Sequence, residues 1–555
     1  MPPDPPDRTG NDALDRLPGA FGLPARFNSL TPTARLKALL ALPDPGKVLR
    51  RLRPDEFFQV INSIGLEDAL GLLPYGSSEQ RKAYMDIDAW SGWKFQPRRL
   101  DRIIEVAGEV SSDFALRMLD DLDPEIIALR LLSATSEILT SDEIEARGLP
   151  DLGVVTTPDG SFNLICHEPD DVDVVRRWLD LLFARDIYEA LRILHAIRRE
   201  TPAALEDDAF RFRDARLQDL GFPGAADRFS VYEPFDVASL RKRLDEESET
   251  PRASRPANPP LALALATVDR RLFAWVALEA LADSPALPSF VSELLYLVNR
   301  VMGARTDDWF DSDAWTESAA HVLRWISVGL ENLSGGDHDR AASLAMHASP
   351  SEMFRTGIQT IRPAHIQARG VVALVGGPGN LHRFDGATAA MIHALAAFPP
   401  RVAEPNPPYL FNDPTGIGDV TRAQAVVLKA ESVARFAVAA LGFDTGATPA
   451  GTGPSFASVV ATAWARSVLT GSPSLDPLSG AELQSLRAMA FEGSKIRQAL
   501  RRPTLSEGGP ATPEALAVRE FLGAALDRVE EALGGLDPSL PINPRFVGDC
   551  LIVRA

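Results

Sequence analysis

The densest grouping of chemically capable side chains in this 555-residue sequence is Phe210-Arg-Phe-Arg-Asp-Ala-Arg-Leu-Gln-Asp-Leu-Gly-Phe222. Arg213 and Arg216 are three residues apart, so a helix places both guanidinium groups on one face, and Asp219 extends that face by three more. Two arginines and a carboxylate in that arrangement can take an anion or a partner peptide. They can equally close into an internal salt-bridge network that pins the helix end at Gly221, and this structural use is the favoured one. Arg213, Arg216 and Asp219 are therefore the candidate binding residues. The sequence points to no catalytic residue, metal ligand or cofactor.

Other motifs lack the context their chemistry needs. Leu333-Ser-Gly-Gly-Asp337 has the letters of the signature loop of ABC-type ATPases. That loop acts only with a phosphate-cradling GxxxxGK[ST], which the sequence does not contain, so a helix stop is expected here. Gly376-Gly-Pro-Gly379 follows the apolar run Val371 to Val375, as a dinucleotide loop would, but without GxGxxG spacing or a preceding strand–helix alternation. The eight histidines include no HExxH pair, and His195 and His393 read as ordinary helix residues. No serine sits in a GxSxG elbow. Cys166 and Cys550 suit small apolar core positions better than redox work. The carboxylate pairs Asp120 and Asp121, and Asp207 and Asp208, are expected at solvated helix ends. Arg50, Arg51 and Arg53, and Arg98, Arg99 and Arg102, are expected on helix surface.

Composition narrows the class. With 45% hydrophobic and 24% charged residues the chain has the make-up of a soluble globular protein, and its length calls for several domains. The longest nearly uncharged stretch, PANPPLALALATVD from Pro256, falls short of the roughly 20 apolar residues of a membrane span. The opening MPPDPPDRTGNDALD has neither the basic start nor the apolar core of a secretory signal, so a cytoplasmic location is expected. A formal net charge of −19 disfavours nucleic acid and anionic lipid as partners.

The elements that must position these residues are helical. Pro54 can start a helix with Asp55 and Glu56 in its first turn, and Phe57, Val60, Ile61 and Ile64 give it one apolar face before Gly65. Leu66, Ala69, Leu70 and Leu73 predict another face closed by Pro74, and Ser77 with Gln80 stand at capping-box spacing for the next helix. Short helices stopped by Pro or Gly must stack to bury their stripes. The fold class is therefore mainly α, with a helical superhelix at the N-terminus, a small β-hairpin insertion and a helical C-terminal body. The expected organisation is a disordered tail at 1–28, a superhelical domain at 29–150 and a hairpin at 151–168, where Val154 to Cys166 flanks Pro-Asp-Gly. A helical continuation follows at 169–244, then a polar, Pro-rich linker at 245–260 and a helical domain at 261–398. The remainder is a Pro/Gly-rich loop at 399–420 and a C-terminal helical region at 421–555 ending in an extended tail.

Four stretches carry a family likeness: LPDPGKVLRRLRPDEFFQVINSIGLEDALGLL from Leu42, RDARLQDLGFP from Arg213, ISVGLENLSGGDHDRAASL from Ile326 and ALGGLDPSLPINPRFVGDCL near the end. On these the chain resembles a bacterial domain-of-unknown-function family of about this length, which brings no assigned site residues. The first stretch, with helix starts such as Leu52-Arg-Pro-Asp-Glu56, is also similar to the helical N-terminal domain of MgtE-type magnesium transporters and, more loosely, to flagellar motor-switch superhelices. That resemblance implies a right-handed, protein-binding superhelix, without the transporter's channel.

The expected function is a cytoplasmic helical scaffold with a protein partner, since stacked helices make extended surfaces. The alternative is a small-molecule or nucleotide sensor, or an enzyme, with a pocket between the two halves and Arg213, Arg216 and Asp219 in it. The sequence sets no oligomeric state.

Overall fold

Proline and small polar residues punctuate the chain into helices. Pro32, Pro45, Pro54, Pro97, Pro124, Pro202 and Pro513 each open one, where a missing N–H costs nothing. The side chains of Ser77, Ser111, Asp186, Thr201, Asp337, Ser455 and Ser479 accept hydrogen bonds from otherwise unpaired first-turn amides. A computed structural model describes Phe27 and residues 30–554, except 93, 148–152, 225–226, 247–268, 270, 282–283, 307–308, 310, 405–409, 448, 450 and 502–511. The expected tail at 1–28 thus lies almost wholly outside the described residues, as does the expected linker from 247 on.

The architecture is mainly α. The helices are α1 Pro32–Leu40, α2 Pro45–Leu49, α3 Pro54–Ile64, α4 Ser78–Asp88, α5 Pro97–Val110, α6 Ser112–Asp120, α7 Pro124–Ala134 and α8 Ser141–Arg147. They continue with α9 Asp171–Arg185, α10 Ile187–Arg199, α11 Pro202–Asp219, α12 Val237–Glu246, α13 Ala274–Leu281, α14 Leu287–Arg305, α15 Ser312–Ser334, α16 His338–His347 and α17 Pro350–Leu374. The last are α18 Gly386–Ala396, α19 Ile417–Arg435, α20 Phe456–Thr470, α21 Gly480–Ala490, α22 Gln498–Arg501 and α23 Pro513–Gly534. The chain divides into a first unit ending at Arg355 and a second beginning at Thr356, a division that falls inside α17.

In the first unit α3 packs on α4, α4 on α5 and α5 on α6, while α7 is covered by α9, α10 and α11. Phe57, Val60, Ile61, Ile103, Leu119, Ile127 and Leu194 fill these contacts and are buried. Strands β1 Trp90–Ser91 and β2 Lys94–Phe95 form a two-residue-turn hairpin directly after α4. The hairpin expected near 154–166 is present as β4 Val154–Thr156 against β5 Phe162–Cys166. It is not isolated: β3 Thr135–Thr140 pairs with the other edge of β5, giving the order β3-β5-β4. The segment Thr-Ser-Glu-Ile-Leu-Thr adjoins a strongly helical run, which hid its strand character, but Ile138 and Leu139 are buried.

In the second unit α20, α21 and α23 enclose a core of Trp464, Leu483, Leu486, Phe491, Leu526 and Val529. The C-terminal stretch docks on it: Leu478 bridges Val553 in parallel, and Val547 and Leu551 are fully buried. The Pro/Gly-rich region holds a short pair, β6 Val402–Ala403 with β7 Phe411–Asn412.

Two sequence expectations change, at residues 66–73 and 480–500. Leu66 to Leu73 forms a run of turns with a 3-10 helix at Leu73–Tyr75, not a helix, because Pro74 sits within that last turn. The helices expected from Asp170 to Ala196 are α9 and α10, separated where the Asp186 side chain caps α10. Gly480 to Leu500 breaks at Phe491 into the hairpin β8 Phe491–Glu492 and β9 Lys495–Ile496. The apolar run before Gly376 is the last turn of α17, within the region expected to be helical, and so lacks the strand a dinucleotide loop requires. Leu333 to Asp337 is the expected helix stop, with Gly335 at φ 69° closing α15.

Glu482 lies at the start of α21, where its carboxylate accepts from the Ser479 backbone and hydroxyl at 2.8 Å each and from Arg466 Nη1 at 2.6 Å. The backbone and hydroxyl bonds from Ser479, then Arg466, pull the carboxyl down from an ordinary 4.5 to about 2. A lowered folded-state value stabilises the fold above pH 4.5, and that contribution disappears as pH falls towards 2. Hydrogen exchange of α21 peptides should therefore lose protection between about pH 4.5 and 2 in the native chain, and lose less in Glu482→Gln, which already lacks the ionised carboxylate.

Candidate functional site

The site begins with α4. Ser77 and Gln80 form the expected capping box, and the Gln80 amide also donates to the buried carbonyls of Leu49 and Leu52 at 2.7 and 2.8 Å. Those bonds fix the rotation of α4 and direct its charged residues towards two partners. One is the Asp121-Leu-Asp123 turn between α6 and α7. Arg81 Nε lies 2.6 Å from Asp121 Oδ2, Ser78 Oγ donates to the other oxygen at 2.5 Å, and Lys82 Nζ lies 2.8 Å from Asp123 Oδ1. The second partner is α11, which brings Arg213 and Arg216.

Arg216 grips Asp86 with Nε and Nη2 at 2.7 and 2.8 Å, and its Nη1 lies 2.8 Å from Asp123 Oδ2. Arg213 Nε donates to the backbone carbonyl of the same Asp86 at 2.7 Å. Its guanidinium carbon stands 5.1 Å from the ring centres of both Trp90 and Trp309, a cation–π contact on two faces. Only 1% of Arg213 is exposed. Burial pushes its guanidinium down to about 10, against the pull of Asp86, so it stays charged at neutral pH. Burial likewise raises the Asp86 carboxyl, opposed by Arg216, whereas Lys82 and Arg216 outweigh burial at Asp123 and hold it below the usual carboxylate range.

Two of the three candidate residues are thus joined through Asp86. Asp219 remains exposed in the last turn of α11 and takes no part. Asp121 is a correction: it is 5% exposed and buried against Arg81, not a solvated helix end. Arg53 is another, since it forks onto buried Asp55 and donates to the Ser292 carbonyl, while Asn299 of α14 donates to Asp55 at 2.7 Å. In sequence these residues look like ordinary helix-end charges; what separates them is a partner tens or hundreds of residues away.

One histidine that its local sequence does not single out is a satisfied core residue. His321 of α15 is 1% exposed. Arg305 Nη1, which can only donate, lies 2.9 Å from its Nδ1, so Nε2 carries the ring proton and faces the Tyr232 hydroxyl at 3.1 Å. Its location in a long amphipathic helix resembles any core position. Cys166 and Cys550 are both buried, and burial raises the Cys550 thiol to about 11, which leaves it protonated and unreactive. Among the described residues no group of three or more His, Cys, Asp or Glu converges as a cation site.

One solvent-facing groove runs along α10. Ala190, Ile193, Leu194 and Ile197 bury the inner face of this helix, and the shallow groove on its outer side is lined by Tyr188, Leu191, Arg192, His195, Ala196, Arg199 and Glu200. Tyr188 is 86% exposed and Ile187 is 50% exposed. Arg192 reaches Glu189 only at 3.4 Å in solvent, and Arg199 has no ion-pair partner among the described residues.

Residues 25–554 match the family of unknown function DUF6178. The chain belongs to that family. No curated protein and no solved structure matches it, and the expected likeness to MgtE-type transporters is not shown. For this DUF6178 chain the Asp86 network is closed: each ionic group in it already meets an opposite charge, a carbonyl or an aromatic face. No described helix is long and apolar enough to cross a membrane.

Removing Asp86 should show how much the network supports. Asp86→Asn leaves Arg216 without its bidentate partner next to a buried Arg213, and breaking such a pair costs about 3 kcal/mol. Urea unfolding of the full chain, followed by hydrogen exchange of α4 and α11 peptides, should register that loss in the first unit.

Proposed function

We propose that the chain is a helical scaffold for protein interaction, with the outer face of α10 docking an acidic segment of a partner protein. The observation that carries this is the stripe Tyr188, Leu191, Arg192, His195, Arg199, which holds one helix face out to solvent. Tyrosine and arginine dominate binding hot spots, because each brings a large contact area together with a directional polar group. An 86% exposed tyrosine beside an exposed isoleucine has no role in the core of its own unit. Charge complementarity sets the partner's chemistry. In a chain of net charge −19, this stripe presents two exposed guanidinium groups whose links to the rest of the fold are weak or absent. An extended or helical segment carrying Asp or Glu beside an apolar residue fits it.

The test compares the full chain with Tyr188→Ala/Arg199→Glu as baits in a lysate of the native cells, after matching their thermal unfolding. The expected outcome is one stoichiometric protein that the native chain retains, that the double variant binds at least about tenfold more weakly, and that salt releases. Equal retention by both baits moves the surface away from α10. Retention of no protein, together with a thermal shift on adding a nucleotide or metabolite, favours the sensor or enzyme alternative; a ligand at 100 times its Kd adds about 2.7 kcal/mol.

A further inference from the structure

Within the second unit the chain leaves α17 through a glycine turn. Gly376 and Gly377 have φ of 81° and 116°, and a 3-10 helix at Pro378–Arg383 follows. Against that helix lies the short segment Gly451–Pro454, whose Gly451 and Gly453 also have positive φ, at 82° and 95°. Gly451 N–H donates to the Gly379 carbonyl at 3.1 Å. Arg383 donates to the carbonyls of Pro454 and Thr445 at 3.1 and 3.3 Å and stands over the Phe443 ring. These bonds hold at any physiological pH.

His382 makes the remaining link, and it is conditional. Its Nδ1 lies 2.9 Å from the Gly379 carbonyl oxygen and its Nε2 lies 2.9 Å from the Thr452 carbonyl oxygen. A backbone carbonyl can only accept, so both nitrogens must carry protons for both bonds to exist. A neutral imidazole has one proton and points its other lone pair at an oxygen 2.9 Å away, which is repulsive. We propose that His382 is a proton-dependent clasp: as imidazolium it fastens Gly451–Pro454 to the Gly376–Arg383 turn, and when it loses a proton the clasp opens.

The other charged groups of the two segments are already engaged. Arg383 is directed to carbonyls, Asp385 caps α18 through Thr388, and Asp444 accepts from the Gly446 amide. The described contacts of His382 are the two carbonyls, with no carboxylate to fix its charge independently of pH. The ring is exposed, so it equilibrates with solvent. The device adds to the docking reading and does not depend on it. It makes one strap of the second unit tighter when both ring nitrogens of His382 carry protons and looser when one is lost.

Hydrogen exchange of peptides spanning Gly451–Ser458, corrected for the intrinsic effect of pH on amide exchange, tests this on the full chain. Protection should be about fivefold to tenfold greater at pH 5.5 than at pH 8.0, the scale of one net hydrogen bond at an exposed site. His382→Gln should abolish that difference and match the native chain at pH 8.0, while α23 peptides stay unchanged in both. Protection independent of pH in the native chain, or a pH dependence that survives in His382→Gln, overturns the proposal.

Discussion

The first unit depends on one residue that serves two arginines with different atoms. Asp86 offers its carboxylate to Arg216 and its backbone carbonyl to Arg213, and both arginines come from the same face of α11. Neither arrangement tolerates much movement: a bidentate fork requires coplanarity, and a guanidinium held between two indoles at 5.1 Å cannot turn without losing one. Burying these charges has a desolvation cost that an apolar core would not incur. In exchange, the register of α4 against α11 is specified more sharply than leucine packing alone could specify it. Arg81 to Asp121 and Lys82 to Asp123 extend the same constraint to the turn between α6 and α7. A short helix of eleven residues thereby orients three others.

The same construction recurs in the second unit. α4 and α21 are both eleven residues long, and both start with a capping box, Ser77 with Gln80 and Ser479 with Glu482. Each runs into a two-residue-turn hairpin with a glycine at φ near 60°, Gly92 at 59° and Gly493 at 61°. In each, an arginine stacks on the first aromatic residue of the hairpin, Arg213 on Trp90 and Arg487 on Phe491. Arg487 donates to three carbonyls, those of Leu533, Gly493 and Gly534, where Arg213 donates to the Asp86 carbonyl and leaves that residue's carboxylate to Arg216. A helix closed at one end by a capping box and at the other by an arginine-braced hairpin is a rigid local unit that needs few residues. The two cases show that the aromatic contact and carbonyl bonds are the common part and the ion pair is the variable part.

Local order was legible where local chemistry determines it. The start of α3 at Pro54, the Ser77–Gln80 box, the stop at Gly335 and the turn at Pro158-Asp-Gly160 all follow from residues within four positions of each other. What stayed hidden depends on distance in sequence. Thr135–Thr140 is a strand because β5, more than twenty residues later, offers it an edge. Asp121 is buried because Arg81 lies forty positions back, and nothing near Asp121 distinguishes it from exposed Asp120. Arg213 and Arg216 were recognisable as a pair from their spacing, but Asp86, the residue that gives the pair its role, lies roughly 130 positions away. Asp219, chosen by spacing alone, had no such partner.

The distribution of charge decides which parts of the molecule can act outwardly. Asp55, Asp86, Asp121, Arg213 and Arg383 are buried and engaged, so their chemistry is directed inward. An arginine already held by a carboxylate or between two rings gives little to a ligand, because binding would have to replace contacts made at lower entropic cost within the chain. The α10 stripe is the opposite case: Tyr188 is 86% exposed, and among the described residues Arg199 has no ion-pair partner. The same residue types at helical spacing are thus structural in α11 and available in α10, and the difference is set by what packs opposite each face. For α11 that is α4 with its hairpin. The outer face of α10 stays open to solvent among the described residues, which leaves Tyr188 and Arg192 exposed.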